Sequence, residues 1–305
     1  MTTLVCLGFG YSAQHYASLY GRRFDRIVGT TRSEENAAAL RCRRFGRNAA
    51  EINVFDGTSD SPVVGTAIAD ATVVLVSIAP DRDIDPALAH LRDAIAAAPR
   101  LKSIIYLSTV AVYGNHDGRW VDETTPVTRA LTRAASRIDA EDAWQALGKA
   151  RDVPITVIRI AGIYGPDANA LETVRTGQAR RIIKPGQVFN RIHVADLAQI
   201  IDKAMDAALT RRADGIFNAA DDEPSAPGDP VLFAAMLLGV APPAEIAFEE
   251  AKKTMSPLAV SFYGESKRVR NDRIKSVLGV SLRYPSYREG LRALATERSG
   301  APPQN

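Results

Sequence analysis

Short runs rich in Val, Ile and Leu alternate with longer stretches of helical period from the start of the chain to Ile160. The apolar runs predict strands at Thr3–Leu7, Arg26–Thr30, Ala50–Phe55, Thr72–Ile78, Ser103–Ser108 and Ile155–Ile160. Between them Ala13–Tyr20, Glu34–Leu40, Pro86–Ala98 and Arg137–Leu147 place apolar residues three or four apart among good helix formers, as the buried face of a helix requires. Strand and helix in alternation give successive βα units and a parallel sheet. Near-continuous rather than alternating apolar strands mean that helices cover both faces.

After Ile160 the pattern loosens. Gly162, Gly165, Pro166, Pro185 and Gly186, then Pro224, Pro227, Pro230, Pro242 and Pro243, cut the chain into short pieces, although His193–Ala208 reads as one further helix with Asp196 at its positive end. The expected architecture is α/β, a doubly wound parallel sheet (a Rossmann fold) with a smaller, discontinuous substrate lobe. Residues 1–163 and 191–212 are assigned to the sheet domain, and residues 164–190 and 213–298 to the lobe.

Composition narrows the class. The 305 residues are 46% apolar and 24% charged, within the globular range, and no apolar run approaches the ~20 residues that span a bilayer. No leader pattern opens the chain, so the expectation is a cytoplasmic protein without membrane contact. Two cysteines, Cys6 and Cys42, and four dispersed histidines offer neither a disulfide framework nor a metal site. The net charge of +3, with Arg41, Arg43, Arg44 and Arg47 clustered, fits a solvated connection or a polyanionic cofactor better than nucleic acid.

Gly8-Phe9-Gly10-Tyr11-Ser12-Ala13 follows the first strand and opens the first helix, the setting that a G-x-G-x-x-A dinucleotide fingerprint needs. Gly8 allows the tight turn, Gly10 lets backbone approach a pyrophosphate, and Ala13 permits close helix packing, with Tyr11 and Ser12 supplying free N–H groups. The second strand ends in Thr30-Thr31-Arg32 with no acidic residue for an adenosine 2′-hydroxyl. Arginine donates paired, charge-assisted bonds to phosphate, so NADP is the expected cofactor, with NAD the alternative. Asp56, and Ser77, Ile78 and Ala79, follow later strands and are expected to line the same cleft.

With these residues in place, the chain resembles the extended short-chain dehydrogenase/reductases of the NAD(P)-dependent epimerase/dehydratase family. The resemblance rests on Gly8–Ala13, Leu107–Gly114 (LSTVAVYG), Arg159–Pro166 (RIAGIYGP) and Arg191–Ala198 (RIHVADLA). It implies that Thr109 meets a substrate oxygen with Ser108 beside it, and that Ala161, Gly162 and Ile163 lie against the nicotinamide. It also places Lys184, Asn190, Arg191 and His193 at the substrate, which a basic set suits if anionic or a sugar nucleotide, with packing at a helix start the alternative for His193, and it allows a homodimer.

The chain departs from the family at the Tyr-x-x-x-Lys pair. Aligned on Glu141, that register holds Arg133 and Arg137. A guanidinium stays protonated and cannot exchange a proton, although Arg137 can still donate to ribose hydroxyls. Tyr113 and Tyr164, after parallel strands, are the nearest substitutes, with packing beneath the adjacent glycines as the alternative. The basic run Ser266–Asn271 is expected to be solvated, and Glu123 to serve a turn. Two functions stay open: an oxidoreductase or epimerase acting on a hydroxyl or carbonyl carbon, and a non-catalytic NADP(H)-binding sensor.

Overall fold

The computed structural model describes residues 1–45, 48–81, 84–129 and 132–299. Seven parallel strands form the central sheet: β1 (Thr3–Leu7), β2 (Arg26–Thr31), β3 (Glu51–Val54), β4 (Val73–Val76), β5 (Ser103–Thr109), β6 (Ile155–Ile160) and β7 (Gly215–Ala219). Their spatial order is β3-β2-β1-β4-β5-β6-β7. The chain leaves β1 in one direction and returns to pair β4 on its other side, so the carboxyl ends of β1 and β4 flank the switch point where such sheets open a crevice.

Alternate side chains of each strand feed two apolar layers. Leu4, Cys6, Leu75, Ile105, Leu107 and Ile158 pack with helices α1 (Tyr11–Tyr20), α2 (Glu34–Arg41) and, later in the chain, Val194–Leu209. Val5, Leu7, Val28, Val74, Tyr106 and Val157 pack on the opposite face. That face is covered by α3 (Pro62–Ala69), α4 (Pro86–Ala97) and α5 (Thr132–Arg151). Trp144 of α5 is fully buried there, which stabilises by about 4 kcal/mol for an indole of that area. Its ring N–H donates to Asp85 at 2.9 Å, while the same carboxylate caps α4 by accepting from the Ala87 and Leu88 N–H groups.

The sequence predicts the strands of the first half closely, and three elements differ. The helix Pro62–Ala69 was not foreseen: eight residues with Gly65 inside are too few to show a period, although Pro62 sits at its first turn as helix starts favour. Helix α5 is longer than Arg137–Leu147, because its outer turns are polar and carry no apolar signal. Gly215–Ala219, assigned from sequence to the smaller lobe, instead pairs with β6 along the sheet edge. Gly215 at φ +96° and polar Asn218 within five residues made it look like a loop.

Helix α6 (Val194–Leu209) packs on α1, tied by Arg23 to Asp202 and Asp206. Its buried Asp196 accepts the Arg283 and Tyr284 N–H groups at 2.7 and 2.9 Å, fastening the carboxyl-terminal segment to the sheet layer. After β5 the chain also forms short helices, among them Asp229–Leu238 and Tyr287–Ser299, and small parallel pairs. Gly162–Tyr164 lies beside Arg191–His193, Arg181–Ile183 beside Glu245–Ala247, and Trp120–Val121 beside Arg268–Val269. No helix among the described residues is long and apolar enough to cross a membrane.

Candidate functional site

Because all seven strands are parallel, Gly8, Thr31, Asp56, Ser77, Thr109 and Ala161 end on one edge of the sheet. Gly8 takes φ +90°, and a β-carbon there would meet Ser77 Oγ at 2.8 Å. Two hydroxyls hold it: Thr30 accepts from the Gly8 N–H at 2.8 Å, and Ser77 donates to the Gly8 carbonyl at 2.5 Å. Phe9 turns inward against Gly29, where a β-carbon would collide with its ring. Gly10 precedes α1 with nothing within 4 Å of the place a β-carbon would take. Helix α1 has no side-chain cap and no acidic residue in its first turn, so its Tyr11, Ser12 and Ala13 N–H groups face that opening.

Those features fit a dinucleotide pyrophosphate: a Cβ-free approach, open N–H groups and the positive end of a helix dipole. Thr31 is half-buried and Arg32 is exposed, making no hydrogen bond or ion pair among the described residues. Three of the cofactor-side candidates also carry local structure. Thr30 is 1% exposed and accepts the Gly8 N–H, and half-buried Ser77 gives its hydroxyl proton to the Gly8 carbonyl, so both brace the loop. Asp56 accepts the Thr58 N–H and hydroxyl at 2.9 and 2.8 Å in a local turn that holds its carboxyl below the usual range. Ile78 and Ala79 remain at the mouth.

Beside this loop a cleft of about 450 Å3 opens between the sheet edge and the smaller elements. Thr109, Ala161, Gly162, Ile163, Tyr164, Asn190 and Arg191 line it, as expected, together with Glu265 and Lys267. Thr109 is half-buried and accepts the Ala111 N–H at 3.2 Å, which leaves its own hydroxyl proton to the cleft side. Ala161 and Gly162 are held by backbone bonds to Ala219 and Asn190, each 3.0 Å, and present little side chain to a flat ring.

Several sequence-derived substrate contacts turn out to be structural. Tyr113 is 1% exposed and donates to Asn218 Oδ1 at 2.8 Å under the Arg159 guanidinium, and burial raises its pKa, so it does not act in the cleft. Tyr164 lends ring surface to the cleft, yet its hydroxyl donates away from it to the Ser286 carbonyl at 3.2 Å, and burial raises its pKa as well. Ser108 donates to Glu141, which is clamped by Arg159 at 2.7 Å in a buried network behind β5. Arg137 donates to the Leu107 carbonyl at 2.8 Å, beneath the end of the same strand. The Arg133 side chain lies outside the described set.

Lys184 donates to the Tyr263 carbonyl and lies over Phe248, outside the cleft lining. His193 caps α6 by accepting the Ala195 N–H at 3.1 Å and stacks on Tyr284. Burial first, then the charges of His15 and Arg283, push its pKa down to about 4, so it stands neutral as a packing group. Arg191 does reach the cleft, donating to Ser225 Oγ at 2.7 Å with Asp221 nearby. Burial pushes Asp221 up to about 8 despite that arginine, and its Oδ2 has no partner. Glu123 was expected in a turn, but that turn is held by Asp122, and Glu123 instead accepts the Asn218 N–H of β7 at 2.8 Å.

Sequence reasoning missed Glu265 and Lys267, having taken Ser266–Asn271 for a solvated run. In the structure Lys267, Val269 and Asn271 are buried while Arg270 between them is exposed. The period of two around Val269 was the signal: it marks a strand whose inward set includes the lysine. Asn190 fixes that strand, donating to the Lys267 carbonyl at 2.9 Å and accepting the Val269 N–H at 2.8 Å.

The profile of the NAD dependent epimerase/dehydratase family matches residues 68–220, half of the chain. The protein belongs to the NAD-dependent epimerase/dehydratase family. Its resemblance to that family's motifs is thereby confirmed, although the matched stretch begins after the glycine loop. Among solved structures, a conserved protein of unknown function from Silicibacter pomeroyi is 43% identical over 97% of this chain and 99% of that one, with a TM-score of 0.85. A dTDP-glucose 4,6-dehydratase from Bacillus anthracis in complex with NAD shares the fold at TM-score 0.74 and 15% identity, over 98% and 97% of the two chains. A 3-diazoavenalumate denitrifying reductase from Streptomyces is 25% identical over 178 residues, 56% of this chain. That match spans 55% of the curated relative.

Proposed function

We propose that this family member is an NADP-dependent oxidoreductase acting on a carbonyl or hydroxyl carbon of a small anionic substrate. The observation that carries the reading is the pairing of an open phosphate loop, with Arg32 unpartnered among the described residues, and a cleft whose lining includes both Thr109 and Arg191. Gly8, Gly10 and the α1 N–H groups would bind the pyrophosphate, and Thr31 and Arg32 the 2′-phosphate. Ala161, Gly162 and Ile163 would seat the nicotinamide, which supplies or accepts a hydride when bound. Thr109 would donate to the substrate oxygen, and Arg191, whose pKa burial lowers against the favourable charge of nearby Asp221, would hold a substrate carboxylate or phosphate whose negative charge offsets that burial. A cleft of this size takes one small molecule beside the ring.

A screen of 2-oxo acids, carboxylated aldehydes and sugar nucleotides against NADPH, followed by nicotinamide absorbance, tests this. At least one anionic carbonyl compound is expected to be turned over, with Thr109→Ala losing most of the rate. Turnover by none of them, beside tight NADPH binding, would instead favour the sensor reading, to which the sequestered hydroxyls of Tyr113 and Tyr164 lend weight.

A further inference from the structure

Reduction of a carbonyl needs a proton as well as a hydride, and among the described residues lining the cleft no tyrosine hydroxyl is turned toward it to give one. The Tyr113 and Tyr164 hydroxyls are bonded away from the cleft, and Arg137, in the register of the family lysine, is a guanidinium spent on the Leu107 carbonyl. Of the side chains that line the cleft, Thr109, Asn190 and Arg191 do not exchange protons near neutral pH, which leaves Glu265 and Lys267. Resting on the oxidoreductase reading above, we infer that Lys267, positioned by Glu265, is the proton donor of the reaction.

Lys267 and Glu265 are 5% and 8% exposed, and the ammonium donates to Glu265 Oε2 at 2.6 Å and to the Gly114 carbonyl at 2.7 Å. Gly114 directly follows the turn that begins at Thr109, so these bonds hold the ammonium against the segment that carries the substrate-binding hydroxyl. Burying such a pair costs several kcal/mol per ion, and an apolar residue would fill the space with no such cost. Arg270, which points the other way from the same strand, is exposed and shows that a basic residue can be solvated here. The pair is instead retained on the cleft wall and braced there through Asn190.

In the forward step the carbonyl carbon receives a hydride from the reduced nicotinamide and forms a new C–H bond. The π electron pair moves to oxygen, which takes a proton from Lys267 Nζ as that N–H bond breaks. The products are an alcohol, the oxidised nicotinamide and a neutral amine, which Glu265 holds in place until it regains a proton from water entering the cleft. In the oxidative direction the neutral amine accepts the hydroxyl proton.

The test begins with trace acetylation by acetic anhydride of the full-length protein, with and without saturating NADPH, read by peptide mass spectrometry. Lys267, buried and paired, is expected to be labelled more slowly than exposed Lys102 and Lys149 in the free protein and to be protected at least a further 5-fold by NADPH, which leaves those two unaffected. Lys267→Arg keeps the charge and the pair but cannot release a proton. It is expected to bind NADPH within about 3-fold of the parent and to lose about 100-fold or more in kcat on the carbonyl compound the parent reduces, the usual range for a lost general acid. Lys267→Met serves as a second variant with the same expected loss. A Lys267 labelling rate that NADPH leaves unchanged, or a Lys267→Arg protein with kcat near that of the parent, would overturn the assignment and leave the oxidoreductase reading standing. Absence of NADPH binding by the parent would overturn both.

Discussion

At the scale of single residues, the hydroxyl and guanidinium groups divide into those that hold the fold and those that face the ligand. Arg32 makes no hydrogen bond or ion pair among the described residues, so Arg32→Ala should leave stability unchanged and lower the NADPH-to-NADH affinity ratio about 10-fold or more, the loss of one charge-assisted bond to phosphate. Competitive fluorescence titration of the two cofactors checks it. Tyr113→Phe is expected to do the opposite: it strands buried Asn218 Oδ1, costs about 1–2 kcal/mol in urea unfolding, and leaves turnover unchanged.

His193 gives stability a pH dependence whose sign follows from burial. Its folded pKa of about 4 lies below the unfolded value near 6.5, so the unfolded chain binds the proton first. Its contribution is complete above about pH 6.5 and is lost as pH falls toward 4, amounting to about 3 kcal/mol. Asp221 works the other way: raised to about 8, it stabilises most below about pH 4 and loses that contribution as pH rises through 8. Unfolding of His193→Asn, which keeps a cap oxygen, should show a flatter acid limb than the parent, and an unchanged limb would contradict the assignment.

At the scale of elements, Gly148 of α5 decides how closely that helix lies on β6. A β-carbon there would stand 2.1 Å from Ile155 Cγ1 and 2.7 Å from the Val153 carbonyl. Alanine ordinarily favours a helix over glycine by about 1 kcal/mol, so the sign of the effect is diagnostic. Gly148→Ala is expected to destabilise by about 1–3 kcal/mol through overpacking, and a stabilised variant would show that α5 sits farther out. The same scale explains what could be foreseen. Strands such as Thr3–Leu7 and Ile155–Ile160 are apolar on both faces and stand out in sequence, whereas Gly215–Ala219 and Arg268–Val269 are too short for their periods to separate from turns. Lys267 was overlooked for that reason, and His193 and Tyr164 were placed at the substrate because sequence shows which residues are near a cleft and not which way their polar atoms point.

At the scale of the whole molecule, the order β3-β2-β1-β4-β5-β6-β7 places the glycine loop and the cleft on one edge, with the switch point between β1 and β4. That much was legible because a βα repeat and a right-handed crossover rule leave few topologies open. The smaller elements were not, since their short parallel pairs join residues far apart in the chain, as Arg181–Ile183 does with Glu245–Ala247. Substrate choice rests on those elements, while cofactor choice rests on the sheet edge, so the cofactor is the part of the account that one experiment reaches most directly.

That experiment is a calorimetric titration of the purified protein with NADPH, NADP, NADH and NAD at one salt concentration. Binding of the two phosphorylated cofactors in the micromolar range, at least about 10-fold tighter than their counterparts, is the expected result and would bear out the loop, the open α1 terminus and Arg32 together. Heat from none of the four would contradict the account at its centre, and equal affinity for the phosphorylated and unphosphorylated pairs would contradict the role given to Arg32.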